Sequence, residues 1–103
     1  MYERKTIMTI QGYPVRTGHV VWRDIAGEVV IAERDNSTLH VLNRTASLIW
    51  SLADGSRQIA DIALEVCRKF EVDLEEAALD VEEFCRQLIE EGLITIEGSS
   101  DNS

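Results

Sequence analysis

The chain has 103 residues, of which 45% are hydrophobic and 28% charged, and its formal net charge at pH 7 is −9. A chain of this length predicts one folded domain, and its apolar content is too high for general disorder. Residues 65–97 hold eleven acids and three bases, whereas residues 1–64 hold seven of each. Nucleic acid is therefore not expected as a partner, because binding phosphates requires Lys and Arg on the docking face.

The amino-terminal half carries short β-branched runs, which predict strands over residues 19–25, 28–34 and 38–42. Ala26-Gly27 and the polar residues 35–37 supply the turns between them. Connections this short favour an antiparallel meander, since a parallel pair needs a long crossover.

The two ends of the chain are less regular. Residues 1–18, which contain the only proline, are assigned to an N-terminal extension, and an extra strand over residues 6–10 is left open. The domain is predicted to span residues 19–97. The small, polar tail 98–103 has nothing to bury and is expected to be mobile.

After Asn43 the apolar residues switch to helical spacing, which predicts an α+β fold with three helices. Asn43 is the predicted N-cap of a helix over residues 44–52 that closes at Gly55. Ser56 is the predicted cap of a second helix, whose apolar stripe reaches Phe70.

A third helix is predicted to begin at Asp73, which forms a capping-box pattern with Glu76, and to stop at Glu91-Gly92. The apolar residues 93–96 that follow are predicted to be a docking strand or an apolar tail. Several acids lie along this helix and are most simply interpreted as a solvated face.

Little in the sequence indicates catalysis. His19 and His40 lie in different predicted strands, and neither has a neighbour in a nucleophile arrangement. No glycine-rich phosphate loop or HExxH motif is present. Cys67 and Cys85 lack CxxC spacing and are interpreted as buried thiols, with a disulfide or a metal pair as the alternative. No catalytic residue, cofactor or metal ion is therefore predicted.

No apolar run reaches the roughly 20 residues that a membrane-spanning helix needs, and the first residues lack a signal-peptide core. The sequence therefore predicts a cytoplasmic protein without a membrane partner.

The segment Val41-Leu42-Asn43-Arg44-Thr45-Ala46-Ser47-Leu48-Ile49-Trp50, followed by Leu52 and Asp54-Gly55, resembles the PqqD family, whose members are also called RiPP recognition elements. The family typically shows Leu-Asn-Pro-Thr-Ala before Ile-Trp and Asp-Gly. Arg44 stands where proline is common, a mild departure because the first helical position tolerates proline without requiring it. The resemblance extends over residues 14–96.

The resemblance implies a winged-helix-like fold in which a three-stranded antiparallel sheet is followed by a three-helix bundle. It implies binding of the leader region of a ribosomally made precursor peptide, which would lie beside the third strand and against the third helix. Such strand addition uses the free N–H and C=O groups of a sheet edge. The implied edge residues are Thr38, Leu39, His40, Val41 and Leu42, and the implied helix residues are Ala77, Val81, Phe84, Cys85 and Leu88. Helical spacing places the acids Asp80 and Glu83 on one face next to Phe84, where they are expected to help select a basic peptide residue.

The implied protein is a non-catalytic peptide chaperone that acts with a peptide-modifying enzyme, and the family suggests a radical S-adenosylmethionine enzyme. Two alternatives remain open, a winged-helix transcription regulator and a protein–protein adaptor. The regulator would need its acidic third helix as the recognition helix, which phosphate repels. A homodimer is also a prediction, because a free strand edge can accept a second copy.

Overall fold

The computed structural model describes residues 10–34 and 38–98. In these residues the elements follow the order β1 Tyr13–Arg16, β2 Val20–Ile25, β3 Glu28–Glu33, β4 Leu39–Val41, α1 Arg44–Leu52, α2 Ile59–Phe70, α3 Leu74–Glu90 and β5 Ile94–Glu97. The predicted α+β class with three helices is confirmed. The predicted extra strand over residues 6–10 falls almost entirely outside the described residues, as do the turn at 35–37 and most of the predicted tail.

The strands form two sheets, which corrects the predicted single sheet. The meander β2-β3-β4 is antiparallel as predicted, but β1 pairs antiparallel with β5 in a separate two-stranded sheet. The register of this second sheet places Tyr13 opposite Glu97 and Arg16 opposite Ile94. Of the two predictions for residues 93–96, the docking strand is therefore confirmed, and the apolar tail is not.

The hairpin between β2 and β3 closes through Ala26 and Gly27, which both have positive φ, at 55° and 88°. Such a two-residue loop matches the right-handed twist of the flanking strands. The Asp24 carboxylate accepts a hydrogen bond from the Gly27 amide at 2.8 Å and holds the turn. Along β3 the side chains alternate, so that Val29 and Ile31 are buried against the helices.

Helix α1 starts as predicted, because the Asn43 side chain accepts a hydrogen bond from the Ala46 amide at 2.8 Å. It ends at Leu52, with Ala53 as its C-cap, so Gly55 does not close the helix. The Gly55 amide instead donates to the Pro14 carbonyl at 3.0 Å. This bond joins the segment after α1 to β1.

The predicted caps of α2 and α3 are wrong in detail. Gln58, not Ser56, is the N-cap of α2, and its amide donates to the Asp61 carboxylate at 3.1 Å. The Ser56 hydroxyl donates to Asp54 at 2.6 Å, and this bond lowers the pKa of the Asp54 carboxyl. Asp73 does occupy the N-cap position of α3, but its side chain makes no capping hydrogen bond.

The core lies between the helices and the inner face of the three-stranded sheet. Trp50 is fully buried and contacts Trp22 edge to face, with 6.0 Å between ring centroids. The Arg16 guanidinium lies 4.9 Å from the Trp22 ring centroid and donates to the carbonyls of Trp50 and Ser51 at 2.8 and 2.9 Å. β1 is thereby attached to the end of α1. None of the described helices has the length and apolarity that crossing a bilayer requires.

Candidate functional site: an open strand edge beside a groove

Strand β4 lies at an edge of the three-stranded sheet and pairs only with β3 among the described strands. An unpaired edge presents backbone N–H and C=O groups that another extended chain can bind. The predicted edge over residues 38–42 therefore corresponds to a real edge strand, although the strand itself is shorter, Leu39–Val41.

The register identifies which backbone groups point outward. The Glu33 amide donates to the Thr38 carbonyl and the Leu42 amide donates to the Val29 carbonyl, both at 2.9 Å. Hydrogen-bonded and non-hydrogen-bonded pairs alternate along an antiparallel ladder, so Leu39 and Val41 fall in the non-hydrogen-bonded positions opposite β3. Their N–H and C=O groups consequently point to the open edge.

A groove runs between this edge and α3. Its part nearest β4 has a volume of about 370 Å³ and is lined by residues that include His40, Val41, Phe84, Gln87, Leu88 and Glu91. A second part of about 300 Å³ continues past Asp80 and Glu83 along the same helix. Both parts are lined by Asn43, Ala46, Phe84 and Gln87. We call the two parts together the β4–α3 groove.

The structure separates the predicted helix residues into two sets. Asp80, Glu83, Phe84 and Leu88 line the β4–α3 groove. Ala77, Val81 and Cys85 are fully buried in the core cluster and are not among the residues that line it. Both sets recur at helical spacing, so the sequence pattern did not separate the groove face of α3 from its core face.

Several groove residues were not predicted. Asn43 and Ala46, at the start of α1, form the wall that faces α3, while Gln87 and Glu91 extend the line of Asp80 and Glu83. The spacing of 80, 83, 87 and 91 places these positions on one helix face, which was a signal in the sequence. The wall from α1 depends on tertiary packing and has no comparable local signal.

The end of the groove nearest β4 holds a polar cluster. His40 Nε2 lies 2.5 Å from Glu33 Oε2, and His40 Nδ1 lies 3.8 Å from Glu91 Oε1. The imidazole therefore connects β3 and β4 with the end of α3. With Asp80 and Glu83 at the other end, acids flank a middle part of the groove that Ala46, Phe84 and Leu88 make apolar.

This arrangement suits binding an extended chain, and the described residues that line the groove include no Cys or Ser. Within residues 10–34 and 38–98, no group of three or more His, Cys, Asp or Glu side chains could hold a metal ion. Cys67 and Cys85 are free thiols, and burial raises the pKa of the Cys85 thiol to about 12, with a smaller contribution from Glu82.

Two solved structures resemble the chain over most of its length. TbiB1, solved in complex with the TbiA(beta) leader peptide, is 29% identical, with a TM-score of 0.70 over 84% of this chain and 99% of that one. Lasso peptide synthetase B1, solved in complex with a leader peptide, is 20% identical, with a TM-score of 0.72 over 82% and 99% of the two chains. Comparison with curated proteins finds no match.

The sequence family supports the same grouping. The model of the family Coenzyme PQQ synthesis protein D (PqqD) matches residues 28–94, from the start of β3 to the start of β5. The match contains the open edge, α1 and the whole of α3, which together build the β4–α3 groove. Since it covers well over half of the chain, this protein belongs to the PqqD family.

Proposed function

We propose that the chain binds the leader region of a ribosomally synthesised precursor peptide and presents it to a peptide-modifying enzyme. The observation that carries this proposal is the outward direction of the Leu39 and Val41 backbone groups beside the β4–α3 groove. A peptide strand added to β4 would pair with these groups and direct alternate side chains into the groove. TbiB1, at 29% identity, was solved with a leader peptide.

The groove favours a particular peptide chemistry. Its apolar part, lined by Ala46, Phe84 and Leu88, suits an apolar peptide side chain, and Asp80 and Glu83 suit a basic side chain nearby. Since α3 carries six acids and one base, it would repel nucleic acid. A transcription regulator that reads DNA through this helix is therefore disfavoured.

The modifying enzyme is the less specified part of the proposal. Membership of the family indicates that this chain binds the peptide. The covalent modification of the peptide is then carried out by a partner enzyme. A radical S-adenosylmethionine enzyme is the class that the resemblance implied and stays a prediction, as does the homodimer.

The direct test removes one outward-facing donor. Replacing Val41 with Pro deletes an N–H that faces the open edge and leaves the bonds of β4 to β3 in place. We expect leader affinity to fall about 5-fold to 150-fold, the equivalent of about 1–3 kcal/mol for an unpaired partner. Val41→Thr keeps both the N–H and the branched side chain, and should bind within about 2-fold of the original chain, which fluorescence polarisation would measure.

Amide chemical shifts provide an independent map of the site. Titration with the leader peptide should shift the signals of Leu39–Val41 and of the groove face of α3, including Phe84. Shifts concentrated on α2, which has no residue in the groove lining, would disprove the proposed site.

A further inference from the structure

The outer face of the three-stranded sheet, which points away from the helices, is mainly apolar. The register aligns two rows of side chains across it, Val21, Ala32 and Leu39 in one and Arg23, Val30 and Val41 in the next. Ile25 and the exposed Glu28 opposite it form a third row beside the hairpin turn. We call these eight side chains the outer face.

The outer face is open to solvent. Val21 and Ile25 on β2 are 48% and 58% exposed, and Leu39 and Val41 on β4 are 64% and 71% exposed. Single exposed apolar residues are normal, whereas the largest contiguous apolar patch of a monomer, commonly about 300–600 Å², is often functional. The two charges of the outer face, the Arg23 cation and the Glu28 carboxylate, are of opposite sign, so this face is neutral overall on a chain whose net charge is −9.

We propose that the outer face is the surface on which the peptide-modifying enzyme docks, and that the bound leader completes it. This inference rests on the proposed function. The expected partner surface is mainly apolar, with a carboxylate opposite Arg23 and a cation opposite Glu28. A second copy of the chain fits less well, because two copies each carry a net charge of −9 and repel one another.

The role of the leader follows from the two residues that the edge and the outer face share. Leu39 and Val41 direct their backbone groups to the open edge and their side chains to the outer face. A leader strand beside them would continue both rows with side chains of its own. The enzyme would then contact the domain and the leader as one continuous sheet face.

The size of the outer face explains why the leader should matter. Three strands about 4.8 Å apart and three rows about 6.8 Å apart cover roughly 300 Å². A stable interface buries about 800 Å² on each partner, so the outer face alone is small. An added strand enlarges it by about a third. We therefore expect the enzyme to bind the loaded domain at least 10-fold more tightly than the empty one.

The test separates docking from leader binding by changing β2, which lies at the edge opposite to β4. The variant Val21→Ser, Ile25→Ser removes apolar area from the outer face, and Leu64→Ser, Leu74→Ser removes similar exposed area from the helices. The probes are a synthetic leader peptide and a purified peptide-modifying enzyme that acts on the same precursor. Fluorescence polarisation measures leader binding, and biolayer interferometry measures enzyme binding with saturating leader.

The outer-face variant should bind the leader within 2-fold of the original chain and the enzyme at least 10-fold more weakly, while the helix variant changes neither affinity. Enzyme binding that the outer-face variant retains would overturn the inference and leave the proposed function intact. An original chain that fails to bind the leader would instead refute the proposed function. Light scattering that shows a dimer, lost in the outer-face variant, would assign this face to a second copy and also overturn the inference.

Discussion

The Ser47 hydroxyl accepts a hydrogen bond from the Val29 amide at 2.7 Å and so links α1 to the middle of the sheet. The same hydroxyl donates to the Leu42 carbonyl at 3.2 Å. It therefore occupies the position where the Val29 amide would otherwise bond directly to Leu42 and extend the β3–β4 ladder. This insertion ends β4 and fixes the start of α1, which forms one wall of the β4–α3 groove.

Replacing Ser47 with Ala should destabilise the fold by about 1–3 kcal/mol, because the buried Val29 amide loses its acceptor. Urea unfolding at pH 7 measures the change. Ser51→Ala is the matched control, since Ser51 lies one turn later in α1 and its structural bond uses the backbone carbonyl. Equal stabilities of the two variants would show that the inserted hydroxyl contributes little.

The buried Cys85 thiol should make stability fall in alkaline solution. Burial raises its pKa from 9.0 to about 12, so the folded state keeps the thiol neutral at pH values where the unfolded chain ionises it. Stability is therefore unaffected below about pH 9 and decreases as the pH rises from about 9 to 12, by on the order of 1.4 kcal/mol per pH unit.

A Cys85→Ala variant isolates this effect from other groups that titrate in the same range. We expect it to be less stable than the original at pH 7, because it leaves a small cavity, and to lose this disadvantage as the pH approaches 11. Cys67→Ala is the control, because Cys67 is only half-buried. A stability difference that does not change with pH would contradict the prediction.

The acids of the groove should affect how fast a basic leader associates. Asp80→Asn with Glu83→Gln removes two charges beside Phe84, and we expect the association rate to fall several-fold at low salt. The difference in association rate should disappear near 1 M salt, because the Debye length there is only about 3 Å and the charges are screened. Stopped-flow fluorescence at both salt concentrations measures the effect.

Glu75→Gln with Glu76→Gln removes the same charge from α3 outside the groove lining and serves as the control. Its rate should be close to that of the original chain, since the effect is attributed to charges within the groove. If both double variants slow association equally, net charge rather than the groove selects the peptide.

Local sequence patterns predicted the elements whose signals are local. The Asn43 cap, the stripe of α2 and the long acidic α3 all follow from spacing within a few turns. The pairing of β1 with β5 was missed because its two strands lie at opposite ends of the described chain. No nearby residue specifies such a partner, and Pro14 weakens the strand signal further.

The order of the predicted strands and helices located the candidate site but did not give its detailed geometry. The position of 38–42 as the last strand of a meander predicted the open edge, but the outward direction of Leu39 and Val41 required the register. The third helix was identified as a wall and its apolar stripe was expected to face the core as well, but the pattern did not show that Ala77 and Val81 belong to the core alone. An apolar stripe does not reveal where the core ends and a groove begins, because both favour the same residue types.

The pairing of Tyr13 with Glu97 brings the start of β1 and the end of β5 side by side. A folded unit whose first and last strands lie side by side can be inserted into a surface loop of a larger protein without distorting the fold of that protein. The two-stranded sheet contributes no residue to the β4–α3 groove lining, so such a fusion would leave the groove unobstructed. The same architecture can therefore work as a separate subunit or as a module within a multidomain enzyme.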